Sequence, residues 1–242
     1  MRSLVVALVL FASPGFAQFA SEQDRRDALR HYREGQDLMA DERFEEAAEA
    51  FHRAIRRDRL LTLAHYGLGQ ASMALRRFAS AIQAFTGCRE AFRTLHALRE
   101  RNRMLVERQR DDEIRELRES IRRIRSGQVK FGQLAAERLE NRILELERQR
   151  THGADAFQTP AEVSLSLGSA YFRNGDLEDA EREWKAAAEA NPALGEAHNN
   201  LAALYAMTGR KAAAEAAVRA AERAGFRVHP KLKEDIRRLS TT

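Results

Sequence analysis

An all-α solenoid of stacked helical hairpins, carrying a longer inserted helical hairpin and closed by a C-terminal capping helix, is the fold the sequence predicts. Three observations point to it. Leu29, His31, Tyr32, Gly35, Gln36, Met39, Phe44 and Phe51 recur 34 residues later as Leu63, His65, Tyr66, Gly69, Gln70, Met73, Phe78 and Phe85. A fixed period of that length marks helical-hairpin units, none of which buries its apolar face without a neighbour. Residues 96–158 break the period with dense charge and no proline. Near the end, Gly225 to Pro230 interrupts the chain before a last amphipathic stretch, Lys231 to Leu239. Its Lys233, Glu234, Arg237 and Arg238 supply the polar outer face a solenoid end requires.

The first 17 residues stand apart. Arg2 precedes the apolar run Leu4 to Ala12, and Gly15 and Ala17 place small residues where a leader peptidase needs them. That pattern predicts a signal peptide cleaved after Ala17, and so an exported protein, periplasmic or extracellular. The run is too short for the ~20 residues of a membrane span, and no transmembrane segment is expected after cleavage. No cysteine follows the run for lipid attachment. Cys88 is the only cysteine, which rules out an intramolecular disulfide and fits a small core residue.

Residues 18–95 hold the first repeat pair. Ser21 followed by Asp24 predicts the first helix cap. A second pair lies in 159–242, where Thr159-Pro160-Ala161-Glu162 reads as a capping box with Pro at the first helical position. Asn174-Gly175-Asp176 and Thr208-Gly209 supply turns within the units, and Asn191-Pro192 closes one of them. Leu167-Gly168, Tyr171, Ala180, Trp184, Ala187 and Pro192 recur in part as Leu201-Ala202, Tyr205, Ala214 and Ala221. With Gly35, Ala47, Phe51 and Ala54, and with Leu68-Gly69, Ala81, Phe85 and Cys88, these sets define four units: 28–61, 62–95, 161–194 and 195–228.

The four units resemble tetratricopeptide repeats. Small residues at the eighth and twentieth positions let antiparallel helices approach, and the aromatic at position 24 fills the space between hairpins. His31, His65, Ser164 and His198 stand where the family favours Trp. The resemblance implies a concave groove lined by the first helix of each unit, contacting ligand from positions 2, 5, 9 and 12. Carried over, these are Leu29, Tyr32, Gln36 and Met39, then Leu63, Tyr66, Gln70 and Met73. The second pair offers Glu162, Leu165, Ser169 and Phe172, then Glu196, Asn199, Ala203 and Ala206, with Asn200 where relatives bond a ligand backbone. Ladders of Tyr, Gln and Met suit a peptide with apolar anchors. The same ladders are equally the pattern of a core packed against the chain itself.

Within 96–158, Ile114, Leu117, Ile121 and Ile124 follow 3-4-3 spacing, and Leu139, Ile143 and Leu146 follow 4-3 spacing. Folded at the Ser126-Gly127 to Gly132 break, they make the seam of a short antiparallel coiled coil. This seam is the candidate for homo-oligomerisation. Arg99, Arg101, Arg103, Arg108 and Arg110 make the neighbouring segment basic, which suits an anionic surface or a solvated arm with internal ion pairs. His152-Gly153 to Thr159 reads as a flexible return.

Catalysis is not expected. The sequence has no serine elbow, phosphate-binding glycine loop or Cys-His arrangement. His31, His65 and His198 occupy equivalent repeat positions, a helix layer of roughly 10 Å apart, so they do not converge on one ion. No metal or cofactor is expected. The net charge of +5 is spread among alternating signs, which makes nucleic acid a poor fit. The sequence therefore points to a non-catalytic adaptor or scaffold of the bacterial cell envelope that binds a protein or peptide in its groove. The alternatives are a structural oligomer built on the hairpin, or a binder of anionic lipid or nucleic acid.

Overall fold

The computed structural model describes residues 20–127, 133–148 and 157–239. The predicted signal peptide, the Gly132 end of the central break and the His152-Gly153 segment lie outside the described residues. Within them the chain is helical throughout, in the order α1 (Glu22–Ala40), α2 (Phe44–Arg57), α3 (Thr62–Ala74), α4 (Phe78–Arg125), α5 (Gln133–Arg148), α6 (Ala161–Asn174), α7 (Leu177–Ala190), α8 (Gly195–Met207), α9 (Lys211–Arg223) and α10 (Pro230–Arg238). It divides into two compact units. One comprises the chain up to Phe92 together with everything from Gln158 on; the other is Arg93–Phe157.

The first unit is a solenoid of four hairpins and a capping helix. The first three hairpins close where position 8 is glycine and position 24 a large aromatic. A Cβ added at Gly35 would lie 2.6 Å from the Phe51 ring, and at Gly69 2.4 Å from that of Phe85. Phe51 also presses on Gly67 of the next hairpin, so one ring spaces two units. Trp184 fills the same place against Gly168. The repeat pairs, separate in sequence, are continuous in space. Ala81 and Phe85 of the second hairpin share one core cluster with Leu167 and Ala170 of the third.

The first helix of every hairpin ends in one way. Residues 43, 77, 176 and 210 each donate an amide to the carbonyl five residues earlier. Closing that turn requires a left-handed residue just before. Gly175 (φ 97°) and Gly209 (φ 72°) meet the need without strain, whereas Glu42 and Arg76 adopt φ 58° with full side chains. The histidines at position 4 also gain a role. His65 Nε2 donates to the Arg59 carbonyl at 2.9 Å, and His198 Nε2 to that of Pro192 at 3.2 Å, tying down the turn that enters each hairpin.

Two expected caps differ in outcome. Ser21 Oγ accepts the Asp24 amide at 3.1 Å and donates to its carboxylate at 2.6 Å. Thr159 does not cap α6; the extended Pro160 (ψ 133°) occupies the cap position and no side chain bonds there. The capping helix α10 begins at Pro230, with His229 Nδ1 accepting the Lys231 amide.

The inserted hairpin is not a separately started element. The second helix of the second hairpin continues without interruption to Arg125, giving α4 its 48 residues. In the second unit Ile114, Ile121, Ile143 and Leu146 are buried together, with Leu117 and Leu139 packed against them. Arg118–Glu147 and Arg125–Glu140 link α4 to α5 in antiparallel register, and Arg142–Glu113 adds a third cross-link.

Candidate functional site

The predicted positions lie on α1, α3, α6 and α8, the first helix of each hairpin. Leu29 and Leu63 are exposed (38% and 50%), and Gln36 and Gln70 point to solvent. Tyr32, Tyr66, Met39 and Met73 are half-buried. Each tyrosine leans on the aromatic of its own hairpin: Tyr32 on Phe51 at 5.9 Å between centroids, Tyr66 on Phe85 at 5.4 Å. The ladder is thus core on one edge and surface on the other.

A hollow of about 140 Å³ opens between the first two rungs. Phe51 and Gly67 line its floor, and Tyr32, Gln36, Met39, Leu63, Tyr66 and Gln70 its walls. Its cause is local. Tyr66 donates or accepts a hydrogen bond with Ser166 Oγ at 2.9 Å. The position matching Ser166 one hairpin earlier is Gly67, and no side chain there can meet Tyr32. The Tyr32 hydroxyl accordingly has no partner among the described residues. Two tyrosines identical in repeat context therefore differ: one is tied to the next hairpin and one is available.

The second pair differs again. Phe172 stacks on Trp184 at 5.5 Å, while the Trp184 indole donates to the Leu165 carbonyl at 3.2 Å. Ser169 Oγ donates to the same carbonyl at 3.0 Å. Asn199 and Asn200 are half-buried on α8 with no side-chain bond among the described residues, and Glu162 and Glu196 are exposed. Leu165 and Ala206 pack against the largest core cluster. The seam residues Ile114, Leu117, Ile121, Leu139, Ile143 and Leu146 are covered within the one chain, and Ile124 is half-buried.

On the opposite side of each step, position 28 of one hairpin meets position 23 of the next. Ile55 packs into the core at the first step. At the second, Arg89 Nη1 bonds both oxygens of Glu183, at 2.8 and 3.1 Å, beside a polar hollow of about 240 Å³. At the third the residue is Ala188, and an open hollow of about 420 Å³ remains among Leu201, Tyr205 and the alanines of α9. The groove positions implied by the repeat do not include these residues. Their signal was present in the sequence all the same: Glu183 replaces the alanine that the other three repeats carry at that position.

Among the described residues, two groups have strongly shifted proton affinities. Glu181 takes a hydrogen bond from Arg210, with Lys185 and Tyr205 adding to it, and is held down at about 2. Arg210 also lies over the Tyr205 ring, 4.4 Å from its centroid. Burial pushes the Cys88 thiol up to about 12. Among the described residues no group of three His, Cys, Asp or Glu side chains is placed to hold a metal ion. None of the described helices is long and apolar enough to cross a membrane.

A family model, the tetratricopeptide repeat, matches residues 32–94 and 165–225, together just over half of the chain. Curated proteins gave no sequence match. Similar solved structures include YrrB, titled a TPR protein with an unusual peptide-binding site, at 16% identity over 90% of this chain and 95% of that one, TM-score 0.30. Another is TTC0263, a thermophilic TPR protein of Thermus thermophilus, at 21% identity over 87% and 97%, TM-score 0.33. MamA matches at 16% over 79% and 94%, TM-score 0.30. At such TM-scores these superpositions carry no weight for function or curvature. The matched repeats nonetheless span the hairpins described above, and the chain belongs to the tetratricopeptide-repeat family.

Proposed function

We propose that the protein is a non-catalytic adaptor that holds an extended peptide or protein segment along the face formed by α1, α3, α6 and α8. The observation that carries this reading is the hollow between the Tyr32 and Tyr66 rungs, apolar at its floor and rimmed by free amides. Leaving Leu29 and Leu63 in water forgoes burial, and a ligand side chain entering beside them would recover it. Gln36 and Gln70 can both donate to and accept from a peptide backbone. Successive rungs stand about one helix layer apart, roughly 10 Å, which an extended chain crosses in about three residues. A ligand with apolar side chains at every third position matches that spacing.

We place this activity in the bacterial cell envelope, on the strength of Arg2, the Leu4 to Ala12 run and the Gly15/Ala17 pair. N-terminal sequencing of protein from the native host would begin at Gln18 under this reading. A chain still beginning at Met1 would overturn it.

The adaptor reading is tested by photocrosslinking in cells. A photoreactive residue at position 36 or 70 should capture one partner reproducibly, and Leu63→Ser should abolish that capture. Leu63 is half exposed, so the melting temperature should stay within about 1 °C of wild type. Crosslinking that is undiminished by Leu63→Ser would remove the groove from the account.

A further inference from the structure

Between residues 96 and 109, α4 sorts its side chains by chemistry onto two sides. Glu100, Arg103 and Glu107 recur along one line of the helix and bond to one another, Arg103 lying 2.8 Å from Glu100 and 3.1 Å from Glu107. His96 lies on the same line, its ring 5.5 Å from that of Phe157. Both acidic residues of the stretch are therefore engaged on that side. About a third of a turn around the helix, Arg101, Met104, Leu105 and Arg108 fall at i, i+3, i+4 and i+7 and are all exposed. Met104 is 58% exposed and Leu105 52%. Asp111 and Asp112 follow at i+3 and i+4 from Arg108, Asp112 being bound by Arg115 at 3.1 Å.

This face offers guanidinium groups and bare apolar side chains together, and the carboxylate that continues its line, Asp112, is held by Arg115. We propose that it docks on an anionic lipid surface, Arg101 and Arg108 meeting headgroup phosphates while Met104 and Leu105 enter the acyl boundary. Arginine stems reach from the helix to the headgroups while apolar neighbours sink below them. A second copy of the chain is a worse occupant, because pairing two such faces sets arginine against arginine with nothing to neutralise it. Nucleic acid would satisfy the arginines and leave the apolar residues wet. Lipid satisfies both. With few charges and few apolar groups the attachment is reversible and salt-sensitive.

The test is co-sedimentation of the full chain with vesicles of phosphatidylcholine, with and without 30% phosphatidylglycerol (about the anionic content at which surface charge becomes strong). The apolar leader is present in every sample, so the readout is the difference between variants of the same chain. Wild type should pellet more with the anionic vesicles than with the neutral ones, and this excess should fall as salt rises. Arg101→Gln with Arg108→Gln should weaken partitioning about twenty-five-fold, at about fivefold per charge. Met104→Ser with Leu105→Ser should weaken it by about tenfold or more. Both pairs are exposed, so unfolding midpoints should not move. Equal pelleting of wild type and either variant overturns the proposal, as does wild type that ignores anionic vesicles. Binding of an RNA homopolymer that survives Met104→Ser with Leu105→Ser, without vesicle binding, assigns the face to nucleic acid. A concentration-dependent mass abolished by Leu105→Ser, again without vesicle binding, assigns it to a second copy.

Discussion

Arg89 grips Glu183 across the point where the solenoid chain leaves for the inserted arm and returns. The pair lies 94 residues apart in sequence and 2.8 Å apart in space. Glu183 is 5% exposed and Arg89 22%. Removing the arginine strands a buried carboxylate, so Arg89→Ala should cost about 2–3 kcal/mol in urea denaturation, a figure reduced for the partial exposure of Arg89. Arg89→Ile with Glu183→Ala recreates the Ile55–Ala84 step one hairpin earlier. That double variant should return to within about 1 kcal/mol of wild type. A double variant as unstable as the single would show that the pair sets geometry that apolar packing cannot supply.

The left-handed turns give a second expectation. Glu42 and Arg76 hold φ 58° where Gly175 and Gly209 stand in the other hairpins. Glycine relieves the clash between Cβ and the carbonyl after it, so Glu42→Gly and Arg76→Gly should each stabilise by about 0.5–1 kcal/mol. Gly175→Ala should destabilise by about 1–2 kcal/mol. Thermal melts of the three variants decide it, and a glycine that lowers the midpoint at position 76 would contradict the account.

His65 links stability to pH. Burial, the first cause, depresses its pKa below 6.5, against smaller raising effects from the Arg59 carbonyl and Asp58. The folded ring is thus favoured neutral, and the unfolded chain takes up a proton first as pH falls. Stability is full above the unfolded value, declines as pH drops through it, and levels off below the folded value. His65→Gln keeps a donor for the Arg59 carbonyl and removes the titration, so its stability should be flatter between about pH 7.5 and 5. An unchanged slope would place the pH dependence elsewhere.

Cys88 should be chemically silent. Its thiol is buried, donates to the Thr62 carbonyl at 3.4 Å and titrates near 12. Iodoacetamide at pH 8 should leave native protein unmodified for hours and label it at once in urea, because the thiolate is the reactive form. The raised pKa also stabilises the fold at neutral pH, a contribution present below about 9 and lost as pH climbs towards about 12. Prompt native labelling would mean that α4 opens locally at its solenoid end.

The two groove tyrosines should respond differently. Tyr66→Phe removes the bond to Ser166 and should lower stability by about 0.5–1.5 kcal/mol. Tyr32→Phe removes a hydroxyl with no partner among the described residues and should leave stability unchanged while weakening the hold on the captured ligand. Equal effects in urea melts would mean that the rungs are equivalent after all.

The hairpin unit, its period and its small and large positions are all written in the amino-acid order. Gly35, Phe51, Gly168 and Trp184 encode close helix approach through local sterics, and sterics repeat with the sequence. The seam of Leu117, Ile121, Leu139 and Ile143 was legible for the same reason, since apolar spacing names the face a helix must bury. Contacts that cross between units emerge only in the assembled solenoid. Tyr32 and Tyr66 share a repeat position, yet the next hairpin offers Gly67 to one and Ser166 to the other. Nothing in their local sequence distinguishes them. Likewise the joining of the second hairpin to the third across the insertion, and the Arg89–Glu183 pair that marks it, depend on contacts between residues far apart in the chain. Such contacts form when the burial they gain outweighs the cost of closing the loop between them, and periodicity does not encode that balance.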